Sequence, residues 1–122
     1  MNINISSGQV EIVGPYGRVY LYTYNDAAFL VNIVHDVLSM QKRWDDPDYL
    51  AKMIFCKMVP PEHWNDDIGF GIGTQLYADV NLLITVDTVT QEISLQTAID
   101  KHYKIKNSFK DFVTNFLSRA DI

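Results

Sequence analysis

The residues with most chemical potential in this chain are three histidines, His35, His63 and His102, and two adjacent acid pairs, Asp45-Asp46 and Asp66-Asp67. The histidines stand far apart with no partner at metal-ligand spacing, so neither a metal site nor another cofactor is expected. His63 with Asp66 or Asp67 is the one acid-base arrangement the spacing assembles, and its chemistry would be that of a small phosphoester hydrolase. Neighbouring acids need not face one another, however, and solvation or helix capping explains each pair as well. No nucleophile elbow, phosphate loop or serine-lysine pair occurs, so no residue is assigned a catalytic role.

A second cluster points to binding. The stretch "DKHYKIKNSFK" interleaves Lys101, Lys104, Lys106 and Lys110 with His102 and Tyr103, a combination that holds phosphates while a ring stacks on a base. The same stretch reads more readily as a solvated basic turn. Cys56 is the single cysteine and excludes an internal disulfide. Its neighbours Ile54, Phe55 and Met58 make it a buried, inert thiol by expectation.

The elements that must position these groups follow from periodicity. "QVEIVGPYGRVYLYTYN" alternates on both sides of Gly14-Pro15-Tyr16-Gly17 and predicts a β-hairpin. In its second strand Val19, Leu21 and Thr23 share one face and Tyr20, Tyr22 and Tyr24 the other. Three tyrosines on the face away from the core make an apolar patch of the kind that finds a partner, and a homo-oligomer interface is expected there.

Phe29, Leu30, Ile33, Val34, Val37 and Leu38 recur at helical spacing, with Asn25 or Asp26 available as cap and Lys42-Arg43 at the carboxyl end. Asp46-Pro47-Asp48 starts a second helix, with an acceptor at the N-cap, proline at the first helical position and an acid near the positive dipole end. Trp44 lies where it can staple the entering chain to the next turn. From Leu50 to Met58 that helix is apolar nearly all round and should be largely buried, ending at Pro60-Pro61.

In "GFGIGT" the glycines Gly69, Gly71 and Gly73 would share one face of a strand and bare its backbone to a helix or ligand. The spacing is not that of a dinucleotide fingerprint. "NLLITVDTVTQEISLQ" predicts a second hairpin turned by Asp87, and "NSFKDFVTNFLSRA" a last amphipathic helix with Ser108 and Asp111 spaced as a capping box. With 48% hydrophobic residues over 122 positions there is material for one core, hence a single domain, 1–122. The expected architecture is α+β, an antiparallel sheet of about five strands with about three helices packed mainly on one face.

Composition excludes some partners. Fifteen acids against ten Lys and Arg give a formal charge of −5 and a pI near 4.9, which argues against duplex nucleic acid. No apolar run approaches the ~20 residues needed to span a bilayer, and Met1-Asn2-Ile3-Asn4 lacks a signal-peptide pattern, so a cytosolic protein without membrane attachment is expected.

The series "VYLYTY", "RWDDPDYLAKMIF", "GFGIGT" and "LLITVDTVTQEISL", in that order, resembles a family of small uncharacterised proteins encoded by bacteriophages and prophages. Arg43-Trp44-Asp45-Asp46 with Tyr49-Leu50 is the most specific part, and the likeness runs from Val19 to Leu95. What the resemblance implies is an accessory protein acting in the host bacterial cytosol against host immunity by binding rather than turnover. A nucleotide-derived signal is the leading ligand, with Arg43, Trp44, Lys101, Tyr103 and Lys104 as candidate contacts, cations for phosphate and rings for a base. The alternative is an inhibitor that blocks a host defence protein through its acidic surface.

Overall fold

The computed structural model describes residues 7–24, 27–59, 69–77, 80–97 and 104–115. Its elements in chain order are β1 (Gly8–Val13), β2 (Arg18–Thr23), α1 (Phe29–Ser39), α2 (Pro47–Met58), β3 (Phe70–Gly73), β4 (Leu82–Asp87), β5 (Glu92–Thr97), β6 (Lys104–Ser108) and α3 (Phe109–Asn115). The architecture is α+β, as expected, but the sheet has six strands in the order β3-β2-β1-β4-β5-β6 and is mixed. β1 and β4 run parallel at its centre, with Gly8 opposite Leu82 and Val13 opposite Asp87. Every other pairing is antiparallel.

The additional strand, β6, occupies residues that a basic turn was expected to fill. Lysines at 104 and 106 conceal a strand pattern whose only strong β-former is Ile105. The parallel pair has no local signature, because its partners are joined only through the long path of β2, α1, α2 and β3.

All three helices contribute to one core against one face of the sheet. Val10, Ile12, Leu21, Ile84, Val86 and Ile93 meet Leu30, Val34 and Leu38 of α1, Leu50 and Ile54 of α2, and Phe109 and Phe112 of α3. α1 begins after Ala28 with no side-chain cap; Asn25 and Asp26 lie outside the described residues. α2 starts as its sequence dictates: Asp46 accepts from Tyr49 N at 3.1 Å and Pro47 opens the helix. Its burial is narrower than the apolar run suggested, because only Leu50, Ala51, Ile54 and Met58 are buried. Cys56 is exposed, which corrects the expectation of a buried thiol: it falls on the outer side of α2 beside exposed Lys52 and Lys57.

Trp44, just ahead of α2, packs against the core and reaches back to α1. Its Nε1–H donates to Leu38 O at 3.0 Å, capping the end of α1, and its ring meets Phe109 edge-on at 5.6 Å. One indole thereby joins α1 to α3. Ser108 accepts from Asp111 N at 3.0 Å, which forms the N-cap of α3. No helix among the described residues is long and apolar enough to cross a membrane.

Candidate functional site

The face of the sheet opposite the helices carries the distinctive chemistry. Alternation along β1 sends Gln9 and Glu11 to that face, opposite Tyr22 and Tyr20 of β2 and Leu83 and Thr85 of β4. Polar residues on an open sheet face are ordinarily solvated, yet Gln9 is 1% exposed. The cause is the segment that follows β3. Gln9 Nε2 donates to Gln75 O at 3.0 Å, and Gln9 Oε1 accepts from Tyr77 N at 2.8 Å. Both ends of one amide thus hold 75–77 down over the sheet.

That clamp brings Tyr77 to the tyrosine stripe. Tyr22 stands 6.4 Å from Tyr77, edge-on at 78°, and 5.4 Å from Tyr24 at 55°. Glycine makes the space, since a Cβ on Gly71 would fall 2.6 Å from Tyr22 Cζ and one on Gly73 would fall 3.3 Å from the Tyr77 hydroxyl. The bare strand face expected from the glycine alternation is therefore real, and tyrosine rings occupy it where a helix or ligand was expected.

Beside these rings, at the start of β1 and β4, lies a cleft of about 480 Å³ lined by Ser7, Gln9, Tyr22, Tyr24, Tyr77 and Asn81, among others. Its rear is fixed by a reciprocal lock: Ser7 Oγ donates to Asn81 Oδ1 at 2.7 Å and Asn81 N donates to Ser7 Oγ at 3.1 Å. Tyr24 is 58% exposed at the mouth. Rings on one side and amide and hydroxyl groups on the other suit a flat ligand with polar edges.

A second polar group sits further along the same face. Buried Glu11 accepts from Arg18 Nη1 at 2.9 Å and from Thr85 Oγ1 at 3.4 Å. The hydrogen bond to Glu11, then its charge, raises the Arg18 pKa above its ordinary value. This pair closes the sheet face and leaves Arg18 committed.

Of the residues singled out from the sequence, those described lie on separate elements. Arg43, in the left-handed region at φ 52°, holds its guanidinium 5.0 Å from the Tyr49 ring centre. Trp44 is half-buried between α1 and α3. Lys104 pairs with Gln96 at the far end of β6 from Phe109, roughly 17 Å of chain away. Arg43-Trp44 and Lys104 are not brought together. Lys101 and Tyr103 lie outside the described residues, as do His63, Asp66, Asp67 and His102.

His35 contacts Phe112 at 5.4 Å and places Nε2 3.3 Å from Val113 O, so it belongs to the α1–α3 joint. Asp46 is the α2 cap and Asp45 is exposed. Of the stripe, Tyr20 and Tyr22 are half-buried and Tyr24 is exposed. No group of three His, Cys, Asp or Glu suited to a metal ion occurs among the described residues.

Sequence reasoning missed Gln9, Tyr77, Ser7 and Asn81. Gln9 alternates with Val10 and Ile12, which reads as an ordinary solvent-facing position, and Tyr77 stands in a loop with no period. No protein-family model matches the chain, and no curated protein or solved structure matches it.

Proposed function

We propose that this protein acts by stoichiometric binding, and that the tyrosine-walled cleft is where its ligand sits. The observation that carries the reading is the convergence of Tyr22, Tyr24 and Tyr77 on a cleft of about 480 Å³, within the usual size range of small-molecule sites. A base stacked on Tyr24 gains about 1–3 kcal/mol, and the sequence-tolerant nature of stacking suits capture of a signal rather than its conversion. Together with the resemblance to phage accessory proteins, this favours sequestration of a nucleotide-derived signal as a defence against host immunity.

Native mass spectrometry with a panel of cyclic and linear nucleotides tests the reading. One intact nucleotide retained per site, with affinity reduced at least about fivefold in Tyr24→Ala, is the expected result. Recovery of no nucleotide, or of a converted one, would remove it.

A second reading, inhibition of a host defence protein, has its own observation. At the opposite end of the sheet the β1–β2 turn presents Tyr16, fully exposed, and the β4–β5 turn presents Val89, 61% exposed. The two turns are tied by Thr88 N and Thr88 Oγ1, both donating to Val13 O. Apolar tips on a braced end suit a protein contact. Loss of a pulled-down host partner in Tyr16→Ala, with nucleotide retention unchanged, would favour this reading over the first.

A further inference from the structure

Among the described residues, β3 and β6 form the two edges of the sheet, and they are built differently. Along β2 the hydrogen-bonding phase is set on both sides: Gly14 N donates to Gly17 O at 2.9 Å on the β1 side, and Tyr24 N donates to Gly69 O at 2.8 Å on the β3 side. Backbone groups alternate between the two sides of an antiparallel strand. Gly71 and Gly73 therefore turn their N–H and C=O toward β2, and Phe70 and Ile72 turn theirs outward, where no described residue pairs with them.

On β6 the bond from Phe109 N to Gln91 O sets the same alternation and turns Lys104, Lys106 and Ser108 outward. Lysine at such positions opposes the addition of another strand. β3, with sequence Phe-Gly-Ile-Gly, has no such protection, and Ile72 is 63% exposed.

We propose that β3 is the seam of a homodimer, to which a second copy of this chain adds its own β3 in antiparallel register centred on Gly71. Under the two-fold axis Phe70 and Ile72 exchange places, so each outward-facing residue meets an apolar, outward-facing partner and about four hydrogen bonds form. The register is self-complementary, which is the reason a second copy fits this edge better than an unrelated strand. The two Gly71 residues form the close kind of pair, about 4.5 Å between Cα atoms. Glycine keeps that seam clear where the Tyr22 ring overhangs it.

On the helix side, Ile72 gains Phe70 of the copy, whose ring is in turn backed by Phe29 at 6.4 Å. The tyrosine stripe meets the boundary through Tyr22 and leaves Tyr24 at the cleft. This dimer does not rest on the nucleotide reading.

Sedimentation equilibrium on the full chain tests it. The wild type should be a dimer, and Ile72→Lys should weaken association by about tenfold or more through like-charge repulsion at the seam. Lys106→Ala, at the other edge, should leave association unchanged. Position 72 of each copy is a diagonal neighbour of position 72 of the other, within reach of long side chains. An equimolar mixture of Ile72→Lys and Ile72→Glu should therefore recover dimer, a readout that a merely unfolded variant cannot give. A wild type that stays monomeric at the highest attainable concentration, or a dimer indifferent to Ile72→Lys, overturns the proposal.

Discussion

The Tyr22 ring fills the space that a side chain on Gly71 would need, with Cζ and Cε2 at 2.6 and 2.8 Å from the position of a Cβ there. Gly71→Ala must displace a half-buried ring that also contacts Tyr24 and Tyr77, and a loss of about 1–3 kcal/mol is expected from overpacking. Gly73→Ala, with the Tyr77 hydroxyl at 3.3 Å, should cost less. Gly17 has nothing within 4 Å and no positive φ, so Gly17→Ala should stabilise by about 0.4–1 kcal/mol. Urea denaturation of the three variants gives the order directly.

Trp44 offers a test between a structural and a ligand-binding role. Trp44→Phe keeps an aromatic ring toward Phe109 but removes the donor to Leu38 O, and about 1 kcal/mol of stability should be lost. Nucleotide retention should not change. A variant with wild-type stability and impaired retention would return Trp44 to the list of ligand contacts.

Among the described residues, three other than glycine hold positive φ: Gln41, Arg43 and Gln91. Gln91 closes the β4–β5 turn at φ 56°, where its carbonyl accepts from Phe109 N at 2.8 Å. Glycine retains that carbonyl and relieves the left-handed penalty, so Gln91→Gly should stabilise by about 1 kcal/mol. Arg43→Gly should yield less, since it also removes the guanidinium from the Tyr49 ring. Thermal melts of both variants check the difference.

The Arg18–Glu11 pair has a defined pH behaviour. The Arg18 pKa is raised on folding, so its contribution is fully present below the ordinary guanidinium value and is lost only as pH climbs through the higher folded value. Titration of Arg18 should leave stability flat across the neutral and moderately alkaline range. Arg18→Met should lower the melting temperature, because Glu11, 6% exposed, keeps only Thr85 as a side-chain partner among the described residues.

Cys56, exposed on α2, should react stoichiometrically with a thiol reagent in the native protein, without denaturant. Protection until unfolding would contradict the outward placement.

Local signals in the chain were reliable and long-range ones were silent. Asp46-Pro47, Ser108 and the turn at Asp87, whose carboxylate accepts from Val89 N at 2.9 Å and Thr90 N at 3.2 Å, act through neighbours one turn away. Periodicity located α1 and the tyrosine and glycine faces for the same reason. Cys56 is exposed despite its apolar sequence neighbours, because an apolar neighbourhood in sequence is not one in space, where α2 buries only one side. The cleft depends on Ser7 and Asn81, 74 positions apart, and on an amide clamp between Gln9 and residues 75–77. No pattern within a strand announces such a closure.

The parallel alignment of β1 and β4 also constrains how the chain is made. During synthesis β2 follows β1 directly, but β4, the partner on the other side of β1, leaves the ribosome only after both long helices and β3. Through that interval the nascent chain carries a hydrophobic strand with one flank open to any passing β-segment. Folding of this kind is dominated by distant pairings and is slow for its size. The growing polypeptide, rather than the finished molecule, is where aggregation would begin and where a chaperone would be of most use.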